Sequence, residues 1–213
     1  MSSNTVRETG NSTVAKEGSR TQKMVVLAVL TALVIVLEVV GAIPVGPLTF
    51  TLTLVPIVIG AILYGPAGGA FLGAVFGIVV SIQVITGAAG AFSTAMLEYA
   101  PVVTIVTCIA KGLFAGLLAG VFYKLFSKKS FYLGTIMAAI IAPVTNTGIF
   151  SVVCLTVFRG LVLSALGMSE GAGVFTAFLT GFIGVNFIIE LAINVILAPV
   201  IMRIVKAARK TLH

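Results

Sequence analysis

The run MVVLAVLTALVIVLEVVGAI, Met24 to Ile43, decides the class of fold. It carries one charge, Glu38, begins directly after Lys23, and stops at Pro44, Gly46 and Pro47, where a helix would lose backbone hydrogen bonds. Its length matches the roughly 20 apolar residues an α-helix needs to cross the hydrocarbon core of a bilayer. Similar runs follow. Leu54 to Tyr64 reads as a short second helix closed by Gly65-Pro66, and Ala67 to Ile85 as a third. Pro101 to Phe126, Phe131 to Phe158 and Val174 to Ile204 read as the fourth, fifth and sixth. The expectation is an all-α membrane protein with six transmembrane helices, in one domain over residues 24–210.

Composition agrees. The chain is 59% hydrophobic and 9% charged, with a mean hydropathy of +1.22, whereas soluble domains average about 25% charged residues. A water-soluble fold is excluded. The net charge of +7 does not point to nucleic acid, because the basic residues sit in the termini and one loop. With six spans, Arg7, Lys16, Arg20 and Lys23 share one side with Lys124, Lys128 and Lys129 and with Arg203, Lys206, Arg209 and Lys210. The other side holds Arg159, Glu98 and Glu170. The positive-inside rule then places both termini in the cytoplasm. The first 23 residues are rich in Ser, Thr, Gly and charge, which predicts a disordered cytoplasmic tail and no signal peptide.

Two glycine series, Gly69, Gly73 and Gly77, and Gly112, Gly116 and Gly120, recur at four-residue spacing. Each strips one helix face of side chains, so the two helices are expected to pack closely. Cys108 and Cys154 lie in apolar runs, where core packing explains them without a disulfide. Ala28 and Ala32, with Thr31 between them, give the first helix a small-residue face suited to another helix.

The only histidine is His213, which removes histidine metal sites and histidine-dependent triads. No GxxxxGK[ST] phosphate loop is present. No metal, cofactor or enzymatic activity is expected, and energy for any transport must come from an ion gradient or a partner. The ionisable groups inside the spans are Glu38, Lys111 and Glu190. A charge at mid-bilayer costs at least about 2.5 kcal/mol, so these groups should face a cavity or one another. Counting from the outer ends of the helices places Lys111, Asn146 and Asn186 roughly 14 to 18 Å deep at about 1.5 Å per residue. Glu190 lies one turn below Asn186, and Glu38 nearer the mouth. Asn186, Glu190 and Asn194 form a polar stripe at i, i+4, i+8. That stripe, with Lys111 and Thr145-Asn146-Thr147, is expected to line a pocket open to the outside. There Lys111 either pairs with a substrate carboxylate or forms a structural ion pair with Glu190. Thr49, Thr51 and Thr53 join the substrate contacts if the loop Pro44 to Thr53 is extended. A self-sufficient carrier using Glu38 or Glu190 as a proton site is a second reading.

The order of these features resembles the substrate-binding S component of energy-coupling factor (ECF) vitamin transporters. The resemblance runs over Lys23 to about Lys210. It rests on Pro44-Val-Gly-Pro47, the run Leu52 to Ala61 leading to Tyr64-Gly65-Pro66, and the stretch Gly69 to Gly77. Lys111-Gly112 with Gly116 and Gly120, Asn146-Thr147, and Asn186 to Glu190 complete it. It implies a six-helix protein of the bacterial plasma membrane that captures a water-soluble vitamin from outside. It implies association with a transmembrane coupling protein and two cytoplasmic ATPases, and toppling in the membrane to release the ligand inside. The family's coupling-protein contact maps onto Ala28 and Ala32, and its lid onto Pro44 to Thr53. The Thr-rich run before Pro56 and the Asn146-Thr147 pair look most like the pantothenate-type group.

Overall fold

The computed structural model describes residues 4–41, 43–45, 48–50, 52–169, 173–178, 180 and 184–212. Among them, five helical segments are long and apolar enough to cross a membrane. These are Thr21–Val39 within α1 (Asn4–Val39), α2 (Leu54–Ile85), α4 (Pro101–Phe126), α5 (Phe131–Thr156), and Asn186–Lys210 within α8 (Gly184–Leu212). Shorter helices α3 (Ala91–Tyr99), α6 (Arg159–Leu166) and α7 (Val174–Ala177) join them. A small antiparallel hairpin, β1 (Ile43–Val45) with β2 (Leu48–Phe50), follows α1, with Ile43 opposite Phe50 and Pro44 opposite Thr49.

Two boundaries differ from the sequence reading. The polar N-terminal segment is helical from Asn4 onward, continuous with the apolar part of α1. Extending an existing helix adds one hydrogen bond per residue without a new nucleus, so a composition that supports no core still continues the helix. The last long helix, described from Gly184 onward, runs on to Leu212, past the expected end at Ile204. Arg209 and Lys210 in its final turn complement the negative end of the helix dipole.

α2 is one element by hydrogen bonding but not one rod. Gly65 interrupts it at φ 74°, ψ −167°, a conformation glycine adopts without a Cβ penalty, and Pro66 lacks the N–H to continue the ladder. In a straight helix Gly60 and Leu72 would stand about 18 Å apart. Here a Cβ on Gly60 would overlap the Leu72 side chain, and one on Gly69 would come 2.8 Å from the Ala61 Cβ. The chain therefore folds back at Gly65 into a short arm, 54–64, and a long arm, 66–85, lying side by side. Their two ends meet α1 consistently. The Tyr64 hydroxyl donates to the Lys23 carbonyl at 2.9 Å, while Thr53 and Gln83 both bond to Glu38.

The glycine series zip the long arm of α2 to α4. A Cβ on Gly69 would strike the Gly116 carbonyl, and one on Gly73 the Gly112 carbonyl. One on Gly77 would come 2.6 Å from the Cys108 carbonyl oxygen, and one on Gly120 2.6 Å from the Pro66 Cα. The short arm is the centre of the molecule, with Leu54, Ile57, Val58, Ile59, Ala61 and Ile62 all buried. Its cluster draws Leu30 and Val34 from α1, Ala119 from α4, Ala138 from α5, and Ile201 and Val205 from α8. Cys108 and Cys154 are buried free thiols.

One end of the bundle is basic and aromatic. Arg209 donates to the Tyr123 hydroxyl at 2.8 Å and lies 5.5 Å from the Phe131 ring centre. Lys206 donates to the Tyr132 hydroxyl at 3.3 Å and stands 5.0 Å from the centre of the same tyrosine's ring. Cation–π contacts and phenol bonds of this kind tie α8 to the turn between α4 and α5. The opposite end is closed by Phe92 and Met96 of α3, Phe158, Val162 of α6 and Phe178, which pack with Cys154.

Candidate functional site

α5 and α8 run antiparallel, and two apolar clusters fix their register. Towards the basic end Ala139 packs with Ala198 and Met202. Towards the other end Cys154 and Phe150 share a cluster with Phe187. Asn146 lies between these levels on α5, and so faces the stretch of α8 that carries Glu190 and Asn194. A polar layer thus sits between two apolar ones.

Within it, the buried oxygens Asn146 Oδ1, Glu190 Oε2 and Asn194 Oδ1 have no hydrogen-bond partner, and neither does Asn186 Oδ1, beside Phe187. Asn146, Glu190 and Asn194 are each at least nine-tenths buried. Buried acceptors are normally satisfied, and in a membrane protein they lack bulk water as a substitute. Asn186, Glu190 and Asn194 follow one another on α8 at i, i+4, i+8, and Asn194 Nδ2 donates to the Glu190 carbonyl at 2.9 Å. Asn186 lies on α8 beside Phe187, which packs in the cluster with Cys154.

Lys111 of α4 points into the same layer, with Nζ 5.6 Å from the Phe76 ring centre and 5.4 Å from that of Phe150. It does not hydrogen-bond Glu190 Oε2, which is without a partner. The two rings take the place of a structural ion pair at that oxygen. Phe76 and Phe150 escaped the sequence reading, although Phe150 follows Asn146 by one helical turn and so shares its face.

The Thr53 hydroxyl is fully buried and donates to Glu38 Oε2 at 2.8 Å. Gln83 Nε2 donates to the Glu38 backbone carbonyl at 3.0 Å. Glu38 thereby joins the end of α1, the start of α2 and its far end. Thr53→Val removes a donor from a buried carboxylate and should cost about 1–3 kcal/mol, read as a lower melting temperature in detergent. An unchanged melt would show that another group serves Glu38 there. Thr49 is placed only by its pairing with Pro44, and Thr51 lies outside the described residues, as does Glu170. Glu98 is exposed.

On the outer surface, Ala28 and Ala32 are exposed. With Leu27, Thr31, Ile35 and Phe71 they line an apolar groove of about 460 Å³ between α1 and the long arm of α2.

The family model for the ECF transporter, substrate-specific component, matches residues 22–202. The chain belongs to that family. As a substrate-specific component it is a membrane transport protein that binds a small molecule and works with an ECF module, and its family is not one of enzymes. The match covers α2, α4 and α5 whole, the membrane part of α1, and α8 as far as Met202. It thus includes every residue of the polar layer. No curated protein matches the chain.

Proposed function

We propose that this substrate-specific component captures a water-soluble vitamin, pantothenate as first choice, from outside the bacterial cell membrane. It hands the vitamin to a transmembrane coupling protein driven by two cytoplasmic ATPases. The observation that carries this reading is the polar layer, whose unpartnered buried acceptors and single cation lie between apolar clusters. Lys111, Asn146, Asn186 and Glu190 are the proposed ligand contacts, with Thr49 and Thr51 on the covering loop, while Thr53 is engaged with Glu38. The fold-back of α2 returns the chain to the side of Lys23, which fits the six-helix reading with both termini and the basic, aromatic end in the cytoplasm. Residues 1–23 then form a cytoplasmic extension of a membrane domain over 24–210. The groove around Ala28 and Ala32 is the proposed seat of the coupling protein.

The test is extraction of small molecules from the detergent-purified protein, followed by calorimetry with whatever is found. A co-purified carboxylate vitamin is expected. Lys111→Ala and Asn146→Ala should each weaken its binding about tenfold to a hundredfold, the range for a lost hydrogen bond to a charged or buried group. Unchanged affinity in both would remove them from the pocket. Because Glu190 Oε2 has no partner, a proton-coupled carrier is the second reading. Uptake by the purified chain alone in liposomes would favour it over the coupled importer.

A further inference from the structure

The basic, aromatic end gathers cations in segments that carry no acid. α8 beyond Glu190 and residues 121–136 around the α4–α5 turn contain no Asp or Glu, yet Arg203, Lys206 and Arg209 stand exposed on successive turns of α8. Two of them are held in place. Lys206 and Arg209 each lie 5.5 Å from the Phe131 ring centre, so their charges cannot be farther apart than twice that distance. Each also donates to a phenol oxygen, Lys206 to Tyr132 and Arg209 to Tyr123. These bonds leave most of the donors unspent, because an ammonium has three N–H groups and a guanidinium five. The rings fix two long side chains that would otherwise lose rotamer freedom on meeting an anion.

An apolar track leads from these cations towards the middle of the bundle. Pro199 and Val195 are exposed on the face of α8 that carries Lys206, seven and eleven residues before it. On α5, Tyr132, which meets Lys206, and Ile136 one turn further in are exposed as well. From Lys206 to Val195 the track runs about 16 Å, about half of a hydrocarbon core of roughly 30 Å, which is the depth of one leaflet. We propose that this end of the bundle binds an anionic phospholipid. Its phosphate sits on Lys206 and Arg209 with Arg203 beside them, and an acyl chain lies along Pro199, Val195 and Ile136. Charge selects the occupant, since the ammonium of a zwitterionic headgroup meets repulsion where its phosphate meets attraction. Each Lys or Arg at a membrane surface is worth roughly fivefold in attraction to anionic lipid.

The experiment is native mass spectrometry of the full chain in detergent, titrated with phosphatidylglycerol or with phosphatidylcholine of the same acyl chains. The wild type should retain phosphatidylglycerol at least tenfold more tightly. Lys206→Gln combined with Arg209→Gln should bring that preference below threefold. Arg203→Gln leaves the ring contacts in place, so it tests the site even if the double variant fails to fold, and it should lower the preference about twofold to fivefold. Lys206→Arg keeps the charge and should keep the preference. Arg159→Gln removes one charge at the other end of the bundle and should change nothing; an equal drop there would reduce the effect to net charge and overturn the site. Glycerophosphoglycerol, the same headgroup without chains, should not displace the lipid at equal concentration. Displacement would mean that the site takes a soluble phosphate ester instead. Equal retention of both lipids by the wild type, or an undiminished preference in Arg203→Gln and the double variant, would overturn the proposal. So would a preference seen only with the coupling protein and ATPases present, which would put an acidic protein surface there. None of these results bears on vitamin capture, which is read from ligand binding.

Discussion

Gly73→Leu should yield a protein that no longer assembles into a single folded species in detergent. A Cβ at this position would already overlap the Gly112 carbonyl, so the obstacle is backbone, which cannot turn aside as a side chain can. Overpacking a well-fitted core costs about 1–3 kcal/mol when neighbours can shift, and here α4 as a whole would have to move. Gly116→Leu should behave the same way, since its Cβ would meet the Gly69 carbonyl. Gly148→Ala is the control. Nothing lies within 4 Å of a Cβ at Gly148, so its melt should not fall, and alanine's better helix propensity in the middle of α5 can raise it by up to about 1 kcal/mol. Size-exclusion profiles and thermal melts of the three variants decide the matter. A Gly73→Leu protein with wild-type melting would mean that the seam is not close-packed.

Ala28→Trp and Ala32→Trp should abolish uptake while leaving ligand affinity unchanged. Both alanines are exposed and lie on the wall of a surface groove, away from the buried acceptors of α5 and α8. An indole there fills the groove and holds a partner helix away, since close helix approach in lipid depends on small residues. The expected loss is of ATP-driven uptake in cells or in vesicles carrying the whole importer, to background. Calorimetry on the isolated variant should give the wild-type dissociation constant. A variant that transports normally would move the coupling surface elsewhere, and one that loses binding would move the pocket to α1.

Much of the fold was legible because lipid imposes one simple demand, about 20 apolar residues per crossing. Pro101–Phe126 could be read to the residue for that reason. The glycine series also translated directly into contact, because a stripe without side chains has one efficient use. What the sequence hid is what depends on direction and on neighbours. Glu38 looked like a solitary charge near a mouth, but its carboxylate accepts from Thr53, fifteen residues on. Lys111 was expected to meet either a substrate carboxylate or Glu190, and the rings of Phe76 and Phe150 beside it were not foreseen. Aromatic residues are ordinary in apolar helices, so nothing in the local pattern marks those two.

The short arm of α2 has a consequence for how the protein is made. At eleven residues from Leu54 to Tyr64, it spans about 16 Å, roughly half the hydrocarbon core. On its own it is a poor substrate for any machinery that sorts segments into lipid by their length and apolarity. Yet it is the element the others surround, touching Leu72 of its own long arm and the Gly116 face of α4, and sharing its cluster with Ile201 and Val205 of α8. During synthesis it emerges early, and the helix that completes its enclosure emerges last. The centre of this molecule is therefore finished only when its C-terminal helix arrives, and a chain truncated before Ile201 should leave the ribosome with its middle unburied.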